Sequence, residues 1–209
     1  MTILAGIYLH IDLELSEEDK LHAKDYLTEM VSAFCETLYR QNVKLSIELH
    51  DGSIKVWLSI AGAIYIAIGQ YGSFRSGLDQ LIKDSHTVKN LVVNTLYKEG
   101  LSRELLLHEK RLISAPDKMR KILLKIDRLE KKIQSLSPEE IQKEKSRIIK
   151  SIEKLAHEVN SKDIDIFIAE LPSKYHPNPE NFPYSYSDYY IPTRGREQFL
   201  ESPFKKSLK

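Results

Sequence analysis

The chain has 209 residues with 31 Lys/Arg against 30 Asp/Glu, 42% hydrophobic and 29% charged, a composition ordinary for a globular protein with a core of its own. A net charge of +1 gives no ground for a partner chosen by bulk charge, and one cysteine, Cys35, excludes an internal disulfide or a cysteine zinc cluster. The charge is unevenly spread: residues 1–97 carry net −4, residues 98–154 net +6 and residues 155–209 net −1.

The first predicted element is a strand over residues 3–15, in which Ile7, Leu9, Ile11 and Leu13 alternate with Tyr8, His10, Asp12 and Glu14. Ser16 with Glu17, Glu18 and Asp19 marks a helix start, because a hydroxyl caps free amides and acids suit the positive end of the helix dipole. That helix is expected to reach Gln41, with Leu27, Met30, Val31, Phe34 and Leu38 as its apolar stripe. Cys35 lies within it and reads as a small buried hydrophobe, since no His or Lys sits at a supportive helical spacing. A second strand over 43–49 and a third over 54–60 flank Asp51-Gly52, a hairpin turn signal in which both residues tolerate positive φ.

From Ala61 to Gly69 the alternation dissolves and a short, close-packing helix is expected, redirected by the Tyr71–Gly77 segment. The uncharged run from Trp57 to Gly69 has 13 residues, whereas a spanning helix needs about 20, so membrane insertion is disfavoured. Ser73 is a plausible cap for a long helix with Leu78, Leu81, Ile82, Val88, Leu91, Val92 and Leu96 on one side and Gly100 as its stop. A shorter helical piece is expected over residues 102–113.

Ile122, Ile126, Leu129, Ile133 and Leu136 then step by four and three residues, the seam of a coiled coil. Ser137-Pro138-Glu139-Glu140 is a capping box with proline in the first turn, and it starts a second helix with Ile148, Ile152, Leu155 and Val159 inward. Residues 116–160 therefore predict an antiparallel helical hairpin, an arm with a stripe narrow enough to project. Asp163 to Leu171 places Ile164, Ile166 and Ile168 on one face and reads as a late strand returning to the sheet. After Leu171 come six of the 8 prolines and five of the 11 tyrosines, a tail too proline-rich for regular structure.

The expected fold class is α+β. A small antiparallel sheet (β-α-β-β plus a late strand) is covered by helices on one face, with the inserted hairpin and an irregular C-terminal tail. The expected organisation is one domain over 1–171, including the 116–160 arm, and an extended tail over 172–209.

Four features carry candidate chemistry. His10, Asp12 and Glu14, with Glu48 and His50 on the neighbouring strand, are metal-ligand types, although a solvated sheet face with weak cross-strand pairs accounts for them as well. The GQYGSFRSG segment has the glycines of an anion loop beside Arg75, but lacks phosphate-loop spacing; an Arg75–Asp79 ion pair is the plainer expectation. The arm carries Lys118, Lys121, Lys125, Arg128 and Lys132, which suit a nucleic-acid backbone, yet no aromatic lies between Lys98 and Glu158 to stack on bases. In the tail, Tyr184, Tyr186, Tyr189, Tyr190, Arg194 and Arg196 are the residue types that dominate protein interfaces.

No HExxH, paired CxxC, Walker-type, GxSxG or GxGxxG motif is present. The expected function is therefore that of a non-enzymatic accessory subunit in an intracellular (bacterial) multiprotein assembly. It would bind protein subunits, or a second copy of itself, through tail and arm, with no cofactor and no metal. The alternatives are a nucleic-acid-binding accessory protein using the basic arm, and a membrane-active effector exposing residues 57–69. The N-terminus lacks a signal-peptide pattern, so a cytoplasmic location is expected.

Overall fold

A computed structural model describes residues 1–50, 53–69, 73–178 and 180. In chain order it contains β1 (Thr2–Ile11), α1 (Glu17–Tyr39), β2 (Lys44–His50), β3 (Ile54–Gly62), α2 (Ile64–Gly69) and α3 (Phe74–Lys98). These are followed by β4 (Leu106–Leu112), α4 (Ala115–Lys132), α5 (Pro138–Ala156) and α6 (Ser161–Ala169). The strands form one antiparallel sheet in the order β2-β3-β1-β4. Two crossovers, β1-α1-β2 and β3-α3-β4, each skip over one strand, the split β-α-β arrangement of ferredoxin-like folds.

One face of the sheet is the core. Ile7, Leu9, Ile11, Val56, Leu58 and Ile60 alternate onto it and are buried beneath α1 and α3, which contribute Leu27, Val31, Leu78, Leu81, Val88 and Val92. Each fully buried aliphatic side chain of this kind stabilises the fold by roughly 1.5–3 kcal/mol relative to exposure. The predicted helix starts hold: Ser16 accepts from the Asp19 amide, Ser73 from the Ser76 amide, and Ser137 with Glu140 closes a capping box. Gly100, at φ +101°, follows the end of α3 as expected. The Asp51-Gly52 turn lies outside the described residues, but Ser53 beside it has φ +60°, a left-handed residue at the end of the connection.

Several expectations are corrected. Ala61 and Gly62 belong to β3 and the helix starts only at Ile64; the Gln41 side chain bonds both the N–H and the C=O of Ala63, fixing the strand end. Gly62 leaves room for Leu4, whose Cδ1 would stand 2.7 Å from an added Cβ. The close approach of helices is instead made at Gly77, where an added Cβ would meet Ile68 of α2 at 2.8 Å.

The fourth strand is Leu106–Leu112, not 163–171, and residues 102–113 are not helical. The β1 edge needs partners for its amides and carbonyls, and β4 supplies them from Gly6↔Leu112 to Ile11↔Leu106, with a bulge that skips Leu107. Residues 161–169 form α6. Asn160 caps it by accepting from the Asp163 amide, and Ile164, Phe167 and Leu171 are buried at helical spacing, with Phe167 stacked on Phe74 at 5.7 Å.

The hairpin forms as expected: Lys118 bonds Glu158 and Lys125 bonds Ser151, two cross-links at one antiparallel register. It does not project. Met119 and Leu123 widen the seam of Ile122, Ile126 and Leu129 into a stripe that is buried, and α4 packs against α3 and β1. Arg75 grips the Asp127 carboxylate through both nitrogens at 2.6 and 2.8 Å, and Arg120 takes Asp79 at 2.6 Å. The expected Arg75–Asp79 pair is thus replaced by two pairs between α3 and α4. Beyond α6, Tyr175 is buried and donates to Glu130 of α4.

Candidate functional site: an aromatic row on the open sheet face

The second face of the sheet carries side chains that reach solvent. Strand register arranges them in transverse rows. The middle row runs Glu48 (β2), Trp57 (β3), Tyr8 (β1), Lys110 (β4), each the direct partner of the next. To one side lies His50, Lys55, His10, His108, and to the other Ser46, Ser59, Gly6, Leu112. Tyr8, His10, Lys55, Trp57 and Lys110 are half-buried, and His50 and His108 are exposed.

Alternation produces this placement: with Ile7, Leu9, Val56 and Leu58 inward, the residues between them must point outward. Directly opposed aromatics on neighbouring strands attract each other, and the Tyr8 and Trp57 rings lie 4.6 Å apart at 56°. His108 stands 6.1 Å from Tyr8, and the Lys110 ammonium lies 5.1 Å over the Tyr8 ring. Glu48, 29% exposed, faces His50 at 3.6 Å. His10 Nε2 is 2.6 Å from the Ser53 hydroxyl. The chemical content is two adjoining π faces, cations from Lys55 and Lys110, and one carboxylate at the β2 edge.

The edge strand bearing Lys110 and His108 is anchored from behind. Glu109 pairs with Lys89 of α3 at 2.6 Å, and Arg111 grips Asp117 of α4 with two bonds of 2.6 Å. Burial pushes the Asp117 carboxyl up, but the Arg111 bonds and the Ser114 amide outweigh it and hold the group below the usual carboxylate range. Arg111 also donates to His86 Nε2, and burial together with that guanidinium keeps His86 below its ordinary value.

The other predicted sites fare differently. Asp12 and Glu14 lie beyond the end of β1 and are exposed, so they do not join His10 on one strand face; among the described residues no group of three His, Cys, Asp or Glu could hold a metal. Arg75 is spent on Asp127, and residues 70–72 of the candidate anion loop lie outside the described residues. On α4, Lys121, Arg128 and Lys132 are exposed, while Lys118 and Lys125 are half-buried, Lys118 bonded to Glu158 just past the end of α5 and Lys125 to Ser151 within it. Tyr184, Tyr186, Tyr189, Tyr190, Arg194 and Arg196 lie outside the described residues.

The aromatic row was not singled out from sequence, although its signal is there: Tyr8 and Trp57 both occupy outward positions of alternating strands. Comparison with protein-family models, with curated proteins and with solved structures returned no match.

Proposed function

We propose that this chain is a non-catalytic accessory protein that binds single-stranded nucleic acid on its open sheet face. The carrying observation is the pair Tyr8–Trp57, rings 4.6 Å apart on the two central strands with Lys55 and Lys110 beside them. Bases of an unpaired strand stack on aromatic faces while cations take the phosphates. A four-stranded sheet with aromatics on its central strands is also how one common RNA-binding module works, an analogy of fold that supports the reading. RNA is preferred over DNA because the opposed hydroxyls of Ser46 and Ser59 adjoin the row and suit a ribose 2′-hydroxyl.

Trp57 is the only tryptophan in the chain, so its emission reports directly on the site. Titration with a short oligouridylate at low salt is expected to quench it, with the oligodeoxythymidylate binding more weakly. An unchanged spectrum with unchanged probe anisotropy refutes the reading, as does a Tyr8→Ala variant that binds like the parent.

A second reading is a protein partner held by the tail, favoured by the Tyr/Arg content of residues 184–196. Removing residues 181–209 would then lower the mass seen by light scattering or strip partners from pull-downs; unaltered profiles would dismiss it.

A further inference from the structure

Resting on that reading, we infer that Glu48 makes the Trp57 position selective for guanine. The middle row is electrically polar: a carboxylate at the β2 end, an ammonium at the β4 end, and the two rings between them. A phosphate is repelled by Glu48 at the β2 end of the row and drawn to Lys110 at its β4 end, so the strand's backbone runs on the β1/β4 side and the base on Trp57 turns its edge toward β2. What meets that edge is Glu48, Trp57's direct cross-strand partner.

An ionised carboxylate only accepts hydrogen bonds, through two oxygens side by side. Uracil offers it one ring N–H, and adenine and cytosine each offer one exocyclic amino group. Guanine alone offers two adjacent donor groups, its ring N1–H and exocyclic amine, matching both oxygens at once. Glu48 is part-exposed and the ring Nε2 of His50 stands 3.6 Å from it, too long for a close contact, so the carboxylate is not locked in a two-bond ion pair. The 56° angle between the rings splays successive bases, leaving the base on Trp57 free to reach sideways.

The probes are oligouridylates bearing one central guanosine, inosine, adenosine or cytidine, read by Trp57 emission and probe anisotropy with the full chain. Inosine keeps N1–H and lacks the exocyclic amine. Guanosine is expected to bind about tenfold or more tighter than the others, with inosine intermediate or equal to uridine, and Glu48→Gln is expected to erase most of the guanosine-to-inosine ratio. Equal binding of all probes, or a preference that persists in Glu48→Gln, overturns the inference and leaves the stacking platform standing. Binding of none of them removes both.

Discussion

The Thr2 hydroxyl donates to Asp163 across 161 positions of sequence, at 2.5 Å and out of reach of water. The same carboxylate accepts from the Asn160 side chain at 2.6 Å and, through its other oxygen, from the Tyr65 amide at 3.1 Å. One side chain thus joins the start of β1, the start of α2 and the first turn of α6. Asp163→Ala takes the acceptor from the Thr2 hydroxyl and the Tyr65 amide and leaves the Asn160 amide only its bond to Thr2, and it is expected to lower stability by about 3 kcal/mol, since each unsatisfied buried group costs about 1–3 kcal/mol. Urea unfolding measures it, and a loss within experimental error would show that the cluster is dispensable.

Tyr8 and Trp57 make the second prediction, now in numbers. Each ring replaced by alanine is expected to weaken single-strand binding by about 1–3 kcal/mol, and Trp57→Phe, read by anisotropy, by less. Lys55→Ala and Lys110→Ala act through phosphate instead, each flattening the plot of log affinity against log salt by about 0.7. Stacking variants with unchanged slopes beside lysine variants with reduced slopes would separate the two roles. Equal slopes throughout would place the phosphate contacts elsewhere, on Lys121, Arg128 and Lys132 of α4 for example.

How far these features were legible in sequence depends on whether they are local. The first three strands, α1 and the caps of α1, α3 and α5 follow from alternation and capping, which are properties of neighbouring residues. The β4 strand escaped because two of its core-side residues, Glu109 and Arg111, are charged and are satisfied by Lys89, His86 and Asp117 from distant helices. Its bulge at Leu107 spoils what alternation remained. In α6 the Ile164, Ile166, Ile168 alternation is genuine, and Ile favours strands. The helix wins because Asn160 caps it and Phe167 finds Phe74. The aromatic row needs the β1–β3 register, which pairs residues 49 positions apart and which neither strand reveals alone.

Acid should loosen the β4 anchor in two stages. His86 accepts from Arg111 Nε at 3.2 Å, with Lys89 and Asp117 as its other charged neighbours. Held below its ordinary value by burial and Arg111, it contributes stability that is full above about pH 6.5 and is lost as pH falls through its lowered folded value, when its proton meets the guanidinium. Asp117, also held low in the fold, contributes stability present above the ordinary carboxylate range near 3.8 and lost as pH falls through its folded value. Urea midpoints are therefore expected to decline from pH 7 toward 5 and again below 4. His86→Gln should flatten the first decline and Asp117→Asn the second. Midpoints level across pH 3–7 in the parent would contradict both assignments.

Cys35 gives the last prediction, and it concerns how tightly α1 is held. Its side chain is fully buried among the residues α1 turns to the sheet, and burial pushes the thiol up to about 12. At neutral pH almost none of it is thiolate, and the thiolate is the species that reacts. A disulfide reagent should therefore release negligible colour from the native protein and one equivalent after unfolding in urea. Any slow native reaction would report opening of α1 away from α3 and β2, so its rate should rise when that packing is weakened, for instance by Leu27→Ala, which removes a buried neighbour on the same helix face. Rapid stoichiometric labelling of the folded chain at neutral pH would mean that α1 is not seated as described.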